Sequence, residues 1–210
     1  MHLYAILDLG YAADADAERV AAALLDGGAA LLQLRAKGRS PEDVGVVARR
    51  VLPLCRAAGV PFIVNDHPEL AAELGADGLH LGQDDGSLAA ARAVVGSEMR
   101  IGRSTHSLAQ ARAALAEGFD YIGFGPLFPT PTKAGRPAIG LAEIAAMEHE
   151  VGAQIPAFCI GGIHPGNLAE VLAAGARRVV IVSALLTAPD IAAATRGVVA
   201  VLREQAAAGA

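Results

Sequence analysis

Short apolar runs alternate with amphipathic segments along the whole chain. The runs are largely apolar instead of alternating between apolar and polar residues, which is typical of parallel strands buried on both faces. The segments between them have apolar residues at helical spacing. The pattern therefore predicts eight strands, each followed by a helix. The predicted strands are 3–7, 31–34, 62–64, 78–81, 100–102, 121–124, 157–160 and 179–182.

The predicted helices have recognisable starts and stops. Ser40 is the expected N-cap of the second helix, with Pro41 at its first position. Glycine follows five of the helices, as is common at helix ends, at positions 59, 75, 96, 118 and 175. The predicted helices are 14–25, 41–58, 68–74, 87–95, 108–117, 140–150, 165–174 and 189–205.

Eight strand–helix units predict an α/β protein, a single TIM (β/α)8 barrel domain over residues 1–210. The alternative is a doubly wound open sheet. The first strand–helix turn has no Gly-x-Gly-x-x-Gly sequence, which weighs against a dinucleotide-binding version of that alternative.

Polar residues concentrate just after the predicted strands, whereas the loops that precede the strands carry mostly Gly, Ala, Val and Pro. TIM-barrel active sites lie at the carboxyl ends of the strands. We therefore expect one polar mouth that holds the site. The polar segments are 33–37, 65–67, 80–85, 103–106, 123–133, 161–162 and Ser183.

Two carboxylates, Asp66 and Asp85, follow neighbouring strands. Carboxylate oxygens without paired Cys or His favour Mg²⁺ over zinc. Arg35, Lys37 and Lys133 could surround an anion at the same mouth. The alternative is that these acids and bases only pair with one another across the rim of the barrel.

The segment 123–133 runs from an apolar strand into a loop with three prolines, two hydroxyls and one cation. Such a stiff loop suits a phosphorylated ligand, to be held by Thr130, Thr132 and Lys133. A second anion site is expected after strands 7 and 8, near Gly162 and Ser183.

Two histidines, His80 and His106, are candidate acid–base groups. His80 is as readily a hydrogen-bonded residue of the barrel interior. His106 is as readily the start of a helix.

Composition excludes several classes of protein. The net charge of −5, the 4% aromatic content and the lack of Trp argue against a nucleic-acid surface. No apolar stretch is long enough for a membrane helix, and no signal peptide is visible. Two cysteines without metal-type spacing predict free thiols and a cytoplasmic location. Whether the chain forms a homo-oligomer stays open.

Several motifs, taken together and in order, resemble the thiamine-phosphate synthase family over nearly the whole chain. They are QLRAK (33–37), IVND (63–66), GADGLHLGQDD (75–85), GRSTH (102–106), GP (125–126), TPTK (130–133) and IGGI (160–163).

The resemblance implies a TIM-barrel transferase that acts on two small molecules with Mg²⁺ as cofactor. It implies that 4-amino-2-methyl-5-(diphosphooxymethyl)pyrimidine is joined to a thiazole phosphate, giving thiamine phosphate and pyrophosphate. The C–O bond of the pyrimidine substrate would ionise first, and the thiazole nitrogen would then capture the cation.

The resemblance also assigns roles to residues of this sequence. Asp66 and Asp85 would bind Mg²⁺. The catalytic residues would be Lys133, Ser104 and Arg35. The residues that would contact the pyrimidine diphosphate are Gln33, Arg35, Lys37, Asn65, Ser104 and Lys133. The residues that would hold the thiazole phosphate are Thr130, Thr132, Gly162, Val182 and Ser183.

The sequence departs from the family pattern at three positions. Ala36 replaces a common acidic residue, so an ion pair that supports the motif could be missing. His67 stands where Arg is common, and Arg103 where a small or apolar residue is more frequent. Two alternative functions stay open: a thiazole tautomerase-like barrel and a non-catalytic barrel that binds thiamine phosphates.

Overall fold

Eight parallel strands form a closed barrel in the computed structural model, which describes residues 2–130 and 137–208. Each strand pairs with the next along the chain, and β8 pairs with β1. The predicted TIM (β/α)8 barrel is confirmed, and the open sheet is wrong. The strands are β1 His2–Asp8, β2 Leu31–Arg35, β3 Phe62–Asn65, β4 Gly78–Leu81, β5 Arg100–Thr105, β6 Tyr121–Phe124, β7 Ala157–Ile160 and β8 Arg178–Ile181.

Helices follow the strands and cover the outside of the barrel. A 3₁₀ turn, Asp14–Asp16, precedes α1, and a π-helical turn, Glu148–Gly152, continues α6. The helices are α1 Ala17–Asp26, α2 Pro41–Ala58, α3 Pro68–Leu74, α4 Leu88–Val95, α5 Leu108–Glu117, α6 Ile144–Met147, α7 Leu168–Ala173, α8 Ser183–Leu186 and α9 Ile191–Ala208. Within the described ranges, no helix is both long and apolar enough to cross a membrane.

The predicted ends of α2 follow from local chemistry. The Ser40 hydroxyl accepts a hydrogen bond from the Asp43 N–H at 3.2 Å, and Pro41 begins the helix. Gly59 ends it in the left-handed region, with φ 65° and ψ 26°.

Three boundaries differ from the prediction in ways that matter for the site. β1 extends to Asp8 and β5 extends to Thr105, because backbone pairing with neighbouring strands continues through polar residues. The short helix α8, at Ser183–Leu186, was not predicted, because four residues are too few to show helical periodicity.

The barrel interior is closed by an aromatic floor, defined here as Tyr4, Tyr121 and Phe158. The Tyr4 and Phe158 rings meet edge to face at 5.1 Å between centroids, and Tyr121 meets Phe158 at 6.1 Å. All three side chains are buried. With three Tyr, five Phe and no Trp in the chain, three of its eight aromatic residues lie here.

A glycine makes room for this floor. A Cβ on Gly102, in β5, would lie 2.1 Å from Cζ of the Tyr121 ring. We predict that Gly102→Ala lowers the free energy of unfolding by about 2–3 kcal/mol, because overpacking forces the buried ring to move. The measurement is the midpoint of urea unfolding.

The matched control is Gly197→Ala, in the exposed part of α9, where a Cβ would meet nothing within 4 Å. That change should stabilise the protein by roughly 0.5–1 kcal/mol, since alanine favours helix. Equal stability of Gly102→Ala and the unmodified protein would contradict the proposed crowding.

Candidate functional site

A cavity of about 810 Å³, which includes space open to solvent, lies at the carboxyl ends of the strands, above the aromatic floor. Its wall contains residues from all eight strands, as expected for the mouth of a TIM barrel. Tyr4 and Phe158 of the floor also line it. The predicted site residues that line it are Gln33, Arg35, Asn65, Ser104, Thr130, Gly162, Val182 and Ser183.

The remaining predicted residues fall into two groups. Lys37, Asp66 and Asp85 do not line the cavity but form a cluster on the loops after β2, β3 and β4. Thr132 and Lys133 lie outside the described residues.

The Lys37 ammonium links two carboxylates. It contacts Asp66 directly, and its Nζ lies 3.8 Å from Oδ2 of Asp85. This is the acid–base pairing that the sequence left as an alternative. It places a positive charge between the two predicted metal ligands.

The backbone at Asp66 is unusual. Among the described residues other than glycine, only Asp66 has a positive φ, at 68°. The His67 N–H bonds to the Asn65 carbonyl at 3.0 Å, so Asp66 occupies the centre of a tight turn. Left-handed backbone of this kind costs about 1–3 kcal/mol and is concentrated at functional sites.

The two carboxylates differ in proton affinity. Burial raises the pKa of Asp66, and its hydrogen bond with Asp85 raises it further. Burial would also raise the pKa of Asp85, but its hydrogen bonds with Asp66 and Gly82, together with the charges of Lys37 and Arg103, lower it. The Gly82 N–H donates to Asp85 Oδ2 at 2.7 Å. Asp85 therefore keeps its negative charge.

The donor chemistry of this pair suits a hard cation. Across residues 2–130 and 137–208, no three His, Cys, Asp or Glu side chains are arranged to hold a metal by themselves. Mg²⁺ usually takes only one or two carboxylates and completes its coordination with water and phosphate oxygens. The pair Asp66 and Asp85 fits that requirement in the number and type of its donors, and the Lys37 ammonium holds the space between the two carboxylates.

Arg35 has a partner that the sequence analysis missed. Asp8, at the end of β1, is buried and forms an ion pair with the Arg35 guanidinium. The Gly10 N–H fixes the other oxygen of Asp8 at 2.9 Å. The support expected to be missing at Ala36 therefore comes from another strand. The signal was present, because Asp8 directly follows an apolar run, as other site residues do.

Ser104 is held from two sides. Its hydroxyl lies 3.0 Å from Nε2 of His80, and its carbonyl accepts a hydrogen bond from Gln83 at 2.5 Å. His80 is buried in the barrel interior. The prediction that it is a hydrogen-bonded residue of the interior is therefore confirmed. His106 precedes the N-cap of α5, and its Nδ1 contacts the Gly125 carbonyl.

The loops after β6 and β7 are joined by backbone hydrogen bonds. Leu127 N–H donates to Ile160 O at 2.9 Å, and Phe128 N–H donates to Gly161 O at 3.0 Å. Gly162 has φ 66°, and a Cβ there would lie 2.6 Å from Cβ of Phe128. The close approach therefore requires glycine, and it carries Thr130 to the cavity wall.

The far side of the cavity is formed by the loops after β7 and β8. Asn167 donates to the Gly162 carbonyl at 3.0 Å and accepts from the His164 N–H at 2.8 Å, which fixes the Gly162 loop. Helix α8 begins at Ser183, beside Val182. In TIM barrels a phosphate is often held by the loops after strands 7 and 8 and by a short extra helix.

Arg103, the third departure from the family pattern, points away from the cavity. Its guanidinium donates to the Gly86 carbonyl at 2.9 Å and to the Gln83 carbonyl at 3.1 Å. It also lies over the Phe119 ring, 5.4 Å from the centroid. Arg103 therefore ties the loop that carries Asp85 to the outside of β5.

We predict that Arg103→Leu loosens this loop. The amide hydrogens of Gly82 and Asp85 should exchange roughly fivefold faster, because two charge-assisted hydrogen bonds to the loop are lost. The measurement is hydrogen exchange of the folded protein. The matched control is Arg100→Leu in the same strand, because the Arg100 side chain is 72% exposed and pairs with Asp120 at 3.7 Å. Equal exchange in both variants would contradict this role.

Comparison with known proteins agrees with the geometry. The sequence model of the family described as thiamine monophosphate synthase matches residues 3–185. The thiamine-phosphate synthase of Thermus thermophilus is 48% identical over 187 residues, which are 89% of each chain. The thiamine-phosphate synthase of Chloroflexus aurantiacus is 40% identical over 208 residues, covering 97% of this chain and 95% of its own.

A solved structure shows the same similarity. The thiamine phosphate pyrophosphorylase of Pyrococcus furiosus superposes with a TM-score of 0.86 at 30% identity, over 97% of this chain and 96% of its own. The predicted resemblance and the predicted class, a transferase of the thiamine-phosphate synthase type, are thus confirmed. The chain belongs to the thiamine monophosphate synthase family.

Proposed function

We propose that the chain joins 4-amino-2-methyl-5-(diphosphooxymethyl)pyrimidine to a thiazole phosphate, with Mg²⁺ as cofactor, and releases thiamine phosphate and pyrophosphate. One observation carries the proposal. A single cavity has an arginine, a serine and a nearby acid–lysine cluster on one side, and a glycine loop with a helix start on the other. Two phosphorylated substrates could therefore meet above the aromatic floor.

The diphosphate would bind on the side of β2–β5. Arg35 offers a planar fork of donors that Asp8 holds in place, and Ser104 offers a hydroxyl positioned by His80. Asn65 lines the same wall, and Lys37 lies beside it. Cations and donors fixed before the reaction stabilise negative charge as it develops on the departing pyrophosphate.

Asp66 and Asp85 would hold Mg²⁺ at this side, next to Lys37. When bound, the ion would neutralise charge on the pyrophosphate. Lys133 would add a further cation by its place in the family motif. Lys133, Ser104 and Arg35 are the proposed catalytic residues.

The thiazole phosphate would bind on the side of β7 and β8. The backbone of Gly162 and Val182, with the start of α8 at Ser183, offers donors to an anion. Thr130 adds a hydroxyl from the loop after β6. Thr132 is assigned to the same phosphate by its place in the motif.

The attacking group is a neutral ring nitrogen, so the reaction needs no general base. This agrees with the contacts of the two candidate histidines. His80 is directed at the Ser104 hydroxyl and His106 at a backbone carbonyl, so both suit positioning instead of proton transfer. A cytoplasmic location, a single domain over residues 1–210 and a homo-oligomer stay predictions.

The direct test is release of pyrophosphate by the purified protein. We expect release that depends on Mg²⁺ and on the presence of both substrates. Thiazole turnover without pyrophosphate release would indicate the tautomerase alternative. Binding of thiamine phosphate without any turnover would indicate the non-catalytic alternative.

Two substitutions test the assigned residues. Asp85→Ala and Lys133→Ala should each lower the rate of pyrophosphate release by about 100-fold or more. Asp85→Ala removes a ligand of the Mg²⁺ that would neutralise the leaving group, and Lys133→Ala removes a cation that would stabilise it directly. Glu69→Ala, an exposed carboxylate in the first turn of α3, is the control and should keep the normal rate. A near-normal rate in either site variant would overturn its role.

A further inference from the structure

A chain of hydrogen bonds runs from the barrel backbone to a cavity residue. The Tyr121 hydroxyl donates to the Leu79 carbonyl at 3.2 Å. The Tyr4 and Tyr121 hydroxyl oxygens lie 3.4 Å apart. The Gln33 amide nitrogen donates to the Tyr4 hydroxyl at 2.7 Å. These contacts connect Leu79 to Gln33 through two phenols of the aromatic floor.

Both phenols keep their protons. Burial raises the pKa of Tyr4 and of Tyr121 well above the usual value of a tyrosine. Each hydroxyl therefore has one hydrogen to donate and an oxygen that accepts. A backbone carbonyl can only accept, so the hydrogen of Tyr121 is committed to Leu79.

Because this hydrogen is committed, the direction of every hydrogen bond in the series is fixed. The Tyr121 oxygen can only accept from Tyr4, so the Tyr4 hydrogen points to Tyr121. The Tyr4 oxygen must then accept from Gln33, which places the NH₂ group of the amide on Tyr4. In the opposite orientation of the amide, Tyr4 would donate to Gln33, and two phenol oxygens would face each other without a hydrogen between them.

We propose that Tyr4 and Tyr121 act as positioning residues that fix the Gln33 amide with its carbonyl oxygen toward the ligand. Gln33 lines the cavity and is buried, at 2% exposure. This wall therefore presents an acceptor and selects a ring that turns an amino group, and not an oxo group, toward Gln33. The inference rests on the proposed function in one respect, the assignment of the aminopyrimidine to this side of the cavity.

The selectivity has a physical cost for the wrong ligand. A ring with an oxo group in place of the amino group would set two acceptors against each other. Gln33 could relieve this only by rotating its amide, which would leave the Tyr4 chain without its donor. An amide held by no such chain would rotate freely and accept either ligand.

The test is equilibrium binding, measured by calorimetry without thiazole and without turnover. The two probes are the monophosphate esters of the 4-amino and the 4-oxo pyrimidine. The unmodified protein should bind the amino form about 100-fold more tightly. Tyr121→Phe should lower this ratio about fivefold, and Tyr4→Phe about tenfold, with both proteins still folded.

A control variant separates polarity from packing. Phe158→Leu alters the third ring of the floor, which takes no part in the hydrogen-bond chain. It should weaken binding of both pyrimidines by the same factor and leave the ratio unchanged. An unchanged ratio in Tyr4→Phe and Tyr121→Phe would overturn the inference.

A second variant tests the orientation itself. In Gln33→Glu both carboxylate oxygens accept. The preference for the amino form then no longer depends on the hydrogen bonds through Tyr4 and Tyr121. Adding Tyr121→Phe to Gln33→Glu should then leave the ratio as it was. A further drop in the ratio would overturn the inference, and so would failure of the unmodified protein to bind either probe. The pyrophosphate assay reports on the proposed function separately.

Discussion

The pairing of β8 with β1 closes the sheet, and the position of every site residue depends on that closure. Because all eight strands are parallel, their carboxyl ends meet at one mouth. Residues from β1 to β8 therefore line one cavity, although they are spread over most of the chain. Closure also removes the exposed sheet edges, so no loop is needed to cover an unpaired strand.

Space inside the closed barrel is the next constraint. The interior holds three aromatic rings only because neighbouring positions are small, as Gly102 shows beside Tyr121. The same rings form the floor of the cavity and carry the hydroxyls that reach Gln33. Packing and polarity are thus joined in one layer, since the residues that fill the barrel also orient a residue of the site.

The charged side of the cavity is stabilised by partners from different strands. Asp8 fixes Arg35, His80 fixes Ser104, and Lys37 links the two aspartates. The pair Asp8 and Arg35 is nearly buried, and a lone charge left there would cost several kcal/mol. Arg103 adds support from outside the barrel by holding the Asp85 loop. The opposite side depends on backbone contacts between the loops after β6 and β7 instead.

The sequence by itself determined the number, order and type of the strands and the mouth at which polar residues gather. These features are local, because apolar runs, helix caps and the glycines that end helices each depend on a few consecutive residues. The tertiary structure decided which side chains pair with each other at the site. Arg35 and Asp8 are 27 residues apart, and Tyr4 and Tyr121 are 117 apart. Such pairs form only when barrel closure and strand register bring distant positions together, so no local pattern could predict them.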